Sequence, residues 1–337
     1  MPTSSFYRGN VAGGSVALRL TGLPTQAAQA LRESLACAAW VELSEAGGAG
    51  GAGAPGATGA IGAPDRAGAS GATGGAESPA DLQVEIELLP REAPPPLPPD
   101  RADLEQLSRR LTPELHLELR WHERQAHFRL TPATSAASAT SATSATSAAS
   151  AAAEVPISGA DSLPLAAATL VRVQSELLHL FGLFTPALAL HASSVLVSGE
   201  PSAPRRAWVF CGPSGAGKTT IATVLLKDHP LIDEEIALVD PGESPPDLLN
   251  SVPPAADPRP AGVVGLFQLR QAPGCWLEPL APGQFIAGNM TRPFDLAPPA
   301  LLRDRLDKLA RLTAHIDPRA LHFNLDAAAL CRLLPDG

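Results

Sequence analysis

The residues Gly212-Pro213-Ser214-Gly215-Ala216-Gly217-Lys218-Thr219-Thr220 carry the chemistry needed to grip a polyphosphate. They fit G-x-x-x-x-G-K-[ST], the P-loop pattern. Gly212, Gly215 and Gly217 lack a Cβ, so the backbone can wrap closely and turn its N–H groups inward. A helix beginning near Lys218 would add unpaired N–H groups and a positive dipole end. The Lys218 ammonium group would meet the β- and γ-phosphates, and the Thr219 hydroxyl is placed for Mg²⁺. Chance is a poor explanation, because only 3 of the 337 residues are Lys. The apolar run Ala207 to Cys211 comes before the loop and Ile221 to Leu226 after it, the strand–loop–helix context that the pattern requires. The expected ligand is a nucleoside triphosphate or a similar polyphosphate.

Binding alone is not catalysis. Phosphoryl transfer also needs a carboxylate for the metal and a group that activates the acceptor. Leu231-Ile232-Asp233-Glu234-Glu235-Ile236 follows the expected helix and opens a strand. In doubly wound sheets the strand ends beside such a loop face the ligand. One carboxylate there could hold Mg²⁺ and another could take a proton; an exposed acidic turn is the alternative. His191, in His191-Ala192-Ser193-Ser194, falls in the strand before the loop strand. By itself a histidine in an apolar strand is most often packed and hydrogen-bonded. Arg270, Arg292 and Arg303 are candidates for stabilising a transferring phosphoryl group.

The net charge of −9 argues against a nucleic-acid partner, which would call for a basic stripe. Arg greatly outnumbers Lys, and Ala, Pro and Gly abound, as in GC-rich bacterial coding. The four cysteines, Cys37, Cys211, Cys275 and Cys331, form no C-x-x-C pair, so neither a zinc site nor a disulfide framework is expected. Residues 1–10 show no secretory core. The longest apolar region, Leu165 to Leu190, contains Arg172, Glu176 and His179 and is too polar to cross a membrane. A cytoplasmic protein with no membrane partner is expected.

Two segments stand apart. Glycine recurs at every third position from Gly47 to Gly74, with a break at Asp65, in a run that reads as a disordered insert over 46–79. Residues 133–153 repeat Ala-Thr-Ser and Ala-Ala-Ser, and 132–156 reads as a linker. Before the linker, 1–131 reads as a small α+β domain. Its strands are expected at Gly14 to Leu20, Ala39 to Leu43 and Leu82 to Leu89, its helix at Gln26 to Cys37, and its hairpin at Leu115 to Trp121 with Ala126 to Leu130. Pro90 to Pro99 breaks structure. A solvated strand face accounts for His116, His122 and His127 better than metal binding does.

The remainder, 157–337, reads as one α/β domain. Helices are expected at Leu165 to Phe184, at Leu301 to His315 with Leu302, Leu306, Leu309 and Leu312 on one face, and at Ala327 to Leu334. Strands are expected at Leu188 to Val197 (followed by a turn at Ser198 to Arg205), at Ala207 to Cys211, within Pro230 to Val239, at Val263 to Arg270 with Cys275 to Pro279 as its partner, and at Leu321 to Leu325.

The run Leu190 to Val197, the run Val209 to Thr219 and Leu231-Ile232-Asp233-Glu234 together resemble the catalytic domain of the HPr serine kinase family, and its divergent HPr-kinase-related members more closely. The resemblance covers roughly 165–334 and extends to Leu266 to Leu269 and Leu277 to Leu280. It implies an α/β P-loop kinase domain of the HPr kinase and phosphoenolpyruvate carboxykinase kind. It also implies ATP and Mg²⁺ as ligands and a protein or peptide hydroxyl, a serine above all, as acceptor; a homo-oligomer is a further association it allows. On this resemblance Gly212 to Thr220 bind ATP through Lys218 and the loop amides. Thr219 and Glu234 serve the metal, Asp233 is the base, and His191 orients or charges it. Glu234 stands where the family has a second aspartate, and Pro241 to Pro246 replaces its later glycine-rich signature. HPr as substrate, phosphorylase activity and the family's hexamer are therefore not carried over. A regulator or scaffold that binds ATP without transferring phosphate is the other expectation.

Overall fold

The computed structural model describes residues 4–35, 40–43, 82–88, 101–102, 105–131, 167–197, 204–242, 244–249, 260–290 and 297–334. The insert at 46–79, Pro90 to Pro99, the linker at 132–156, Arg292 and most of the turn after Val197 lie outside the described residues.

The first half builds a mixed sheet from β1 (Ser4–Val11), β2 (Gly14–Thr21), β3 (Val41–Leu43), β4 (Leu82–Leu88), β5 (Arg101–Ala102), β6 (Gln106–Thr112), β7 (Leu115–Arg120) and β8 (Gln125–Leu130). The strands lie in the order β3-β1-β2-β4-β8-β7-β6-β5. One helix, α1 (Thr25–Ser34), accompanies them. β2 and β8 alternate buried and less buried side chains, the period expected of a sheet with one covered face. β1, not foreseen from the sequence, forms a tight hairpin with β2. Its turn residues Ala12 and Gly13 both have positive φ, and the Gly13 N–H donates to Asn10 Oδ1. His116 departs from expectation: it is fully buried in β7, with Nε2 3.2 Å from Ser108 Oγ. His122 is an exposed turn residue.

The second half follows α2 (Ala167–Phe184) with β9 (Leu188–Leu196), β10 (Arg206–Cys211), β11 (Leu231–Asp233), β12 (Ile236–Asp240), β13 (Asp247–Leu249), β14 (Ala261–Gln271), β15 (Trp276–Pro279) and β16 (Arg319–Phe323). The helices are α3 (Pro282–Met290), α4 (Pro299–His315) and α5 (Ala327–Leu333), besides a wide helical turn at Thr220–Leu225. β14 pairs with both β13 and β10, β10 with β9, β9 with β12, and β12 with β13, so five strands close on themselves. This is a mixed arrangement and not the doubly wound sheet assumed in placing the acidic segment. β9 runs antiparallel to its neighbours, while β10, β14 and β16 are mutually parallel. β15 does not pair with β14. β16 occupies that edge of β14, and β15 adds antiparallel to β16.

Of the leucines expected on one face of α4, Leu309 and Leu312 are buried but Leu306 is 42% exposed, whereas Arg305 and Lys308 are buried. A carbonyl-lined setting explains the inversion. Lys308 Nζ donates to Gly182 O and Thr185 O at the end of α2, and its pKa is lowered by burial.

α2 joins the two halves. One apolar cluster contains Leu18, Ile86 and Phe128 from the first sheet, Leu177 and Phe181 from α2, and Ala189, Ile236 and Leu238 from the second. The fit is close at two glycines. A Cβ on Gly14 would lie 2.7 Å from Thr185 Cβ, and one on Gly182 would lie 2.5 Å from Ala189 Cβ.

Candidate functional site

β10 is fully apolar inside (Val209, Phe210 and Cys211 are buried) and ends directly in the glycine loop. Gly215 (φ +79°) and Gly217 (φ +97°) take the left-handed backbone that side chains resist. Space also decides two positions. A Cβ on Gly217 would come within 2.6 Å of Phe323 Cζ, and one on Gly212 within 2.7 Å of Ala216 Cβ. Gln271 Nε2 donates to Gly215 O at 3.0 Å and ties the tip of the loop to β14.

Lys218 is buried, and its ammonium group turns back into the loop. Nζ donates to Gly212 O and Pro213 O, each at 3.0 Å, and lies 2.9 Å from His191 Nε2. His191 can accept this bond only with Nε2 unprotonated. Ser193 Oγ donates to Lys218 O at 3.1 Å, which fixes the start of the following helix to β9. That helix is wound wide. Ile221 N–H bonds Gly217 O in the ordinary way, but Leu226 N–H reaches back five residues to Ile221 O. Ile221, Ala222 and Leu226 pack on Phe210 and Phe267. Thr219 and Ser214 are exposed.

The acidic segment divides. Asp233 lies opposite Ser194 across a bulged β11–β9 pairing and accepts from Ser194 Oγ at 3.2 Å. It is 6% exposed, and burial raises its pKa to about 8, with the Ser194 hydroxyl pulling the other way. Successive side chains of a strand point to opposite faces. Ser193 reaches the Lys218 side of β9, so Ser194, and Asp233 with it, belongs to the other face. The structure therefore joins His191 to Lys218 but does not bring Asp233 to them. Glu234 is half-buried, with its pKa raised by burial, and Glu235 is exposed, its carbonyl bonded to Ala192 N–H. Among the described residues no group of three or more His, Cys, Asp and Glu could hold a metal. An exposed Thr219 hydroxyl beside Lys218 suits Mg²⁺ held mainly by phosphate oxygens and water.

A cavity of about 160 Å³ adjoins residues 212–214 of the loop, and it was not foreseen from the sequence. Its other walls include His179, His191, Asn289 and Arg305. Of the arginines anticipated, Arg270 pairs with Glu278 at 3.6 Å and Arg303 is exposed on α4. Arg305 is the arginine at the cavity. Its burial within an amphipathic helix leaves no mark in local sequence.

Compared with models of protein families, with curated proteins and with solved structures, the chain matches none. No helix among the described residues is long and apolar enough to cross a membrane.

Proposed function

We propose that this chain binds ATP with Mg²⁺ at the glycine loop and transfers the γ-phosphoryl group to a hydroxyl of a protein or peptide, as a divergent kinase of the HPr serine kinase type. One observation carries the nucleotide part of the reading. A buried lysine sits in a loop whose glycines are demanded by backbone angle and by space. Its ammonium group is held by two loop carbonyls and a histidine, partners that a phosphate can replace with a stronger, charge-assisted bond. Gly212 to Thr220 would bind the triphosphate, Thr219 would take the metal, and Glu234 would lie on the metal side. The parallel relation of β10, β14 and β16 supports an α/β P-loop kinase domain of the HPr kinase and phosphoenolpyruvate carboxykinase kind.

The position of Asp233 favours a second reading. A carboxyl group bonded to Ser194 on the far face is not poised as a base beside Lys218. A protein that binds ATP and regulates or scaffolds a partner needs no such base.

Labelled ATP, Mg²⁺ and lysate of the host separate the two. A kinase yields a labelled acceptor that is lost with Lys218→Ala; loss with Asp233→Asn as well assigns the base to Asp233, and labelling that persists in that variant alone leaves the role to His191. Lys218→Ala also weakens ATP binding at least about tenfold. Nucleotide binding with no labelled product identifies the regulator, and labelling that persists in both variants rejects this site.

A further inference from the structure

The cavity beside residues 212–214 is lined by one buried cation, Arg305, and by His191, which bonds a second, Lys218. Arg305, 4% exposed, donates from Nη1 to Ala189 O at 3.0 Å and from Nη2 to Asn289 O at 2.8 Å. Its Nε has no partner among the described residues. Both acceptors are neutral carbonyls, so neither balances the charge, and a pKa lowered to about 10 by burial still leaves the guanidinium protonated at neutral pH. Lys218, on the loop side, bonds two loop carbonyls and His191. Cys211 between them adds no counter-charge, since burial pushes its thiol up to about 12. A buried charge met only by carbonyls, as at Arg305, is costly, and an anion is its natural complement. The nucleotide tail would answer Lys218. Arg305 calls for a second anion within the cavity.

We infer that this cavity receives the phosphoryl acceptor and that the acceptor is a compact hydroxy acid, its carboxylate drawn to Arg305 and its hydroxyl turned toward Lys218 and His191. The inference rests on the kinase reading above and gives its substrate a chemical class. Size supports it. A cavity of about 150 Å³ accommodates benzene, so one of this volume admits a molecule or chain end of about that bulk and no folded loop. Free serine or glycerate meets the description, and so does the terminal serine of a peptide. In the transfer the acceptor oxygen bonds to the γ-phosphorus while the bond from that phosphorus to the β–γ bridging oxygen breaks. ADP leaves with the bridging oxygen. The hydroxyl proton passes to His191 Nε2, which Lys218 releases on turning to phosphate.

Calorimetric titration of the full chain with Mg²⁺ and a non-transferable ATP analogue tests this. The probes are L-serine, D-glycerate and the dipeptide Ala-Ser, against glycerol and Ala-Ser amide. At least one acid should bind tenfold or more tightly than its counterpart lacking the carboxylate. Preference for the free acids or for Ala-Ser then identifies the source. Arg305→Met should abolish the preference. Because that change can disturb folding, Gly288→Leu provides a second route. Gly288 lines the cavity, and the nearest atom to an added Cβ is Gln268 Oε1 at 3.6 Å, ordinary contact. Acid affinity should fall at least tenfold, well beyond any change in analogue affinity. Equal binding of acids and of their counterparts lacking the carboxylate, no binding of any acid, or undiminished acid binding in Gly288→Leu overturns the inference while leaving the nucleotide reading intact. Failure of the analogue itself to bind overturns both.

Discussion

Asp233 shows how far the meaning of one side chain depends on its surroundings. In the sequence it is an acid at a strand end; in the fold it is a buried carboxyl sharing a hydrogen bond with Ser194. Its pKa rises from 3.8 to about 8, so the folded state holds a proton that the unfolded state gives up above about pH 4. Stability is therefore greatest below about pH 4 as far as this group is concerned, and it declines as pH rises toward about 8. Thermal unfolding followed across this range should show a falling midpoint in the native chain and a flatter profile in Asp233→Asn. Equal slopes in the two proteins would contradict the burial of the ionisable group.

At the level of elements, α4 carries the clearest reversal. A run of leucines at helical spacing marks the helix correctly, but two cations share its buried side. Lys308 satisfies the carbonyls at the end of α2, where the helix leaves C=O groups unpaired and the dipole favours positive charge. Lys308→Met should lower stability by about 1–3 kcal/mol, because buried carbonyls lose their donor. Leu306→Gln, by contrast, should shift it by no more than about 0.5 kcal/mol, as at other exposed positions. Chemical denaturation of both variants would check the pair, and a larger loss for Leu306→Gln would reverse the assignment of faces.

Across the whole molecule, α2 makes the two sheets one folding problem. Val173, Leu177, Leu180 and Phe181 belong to the same cluster as Leu18, Val84 and Leu117. Trp40 from the first half lies with its ring centroid 6.4 Å from that of Phe181. A fragment beginning at residue 157 would expose this apolar side of α2 to water. We expect it to melt at lower temperature than the full chain, or to aggregate, and the full chain to unfold in a single transition. Calorimetry of both would show two independent transitions if the halves were separate bodies.

The glycine loop, its feeding strand and most other strands and helices were legible in the sequence, because their signals are local: alternation, helical spacing, glycine before lysine. His191 was picked out through the family resemblance, its place in an apolar strand alone carrying little weight, and it does meet Lys218. What local pattern could not supply was the side of the sheet on which a residue ends up. The bulge in β11 turns Asp233 toward Ser194, β16 comes between β14 and β15, and Arg305 reaches the cavity from a helix far beyond the loop in sequence. Each depends on strand register and on contacts between distant segments. The side-chain period of two along a strand means that a shift of one residue changes the face and, with it, the chemistry.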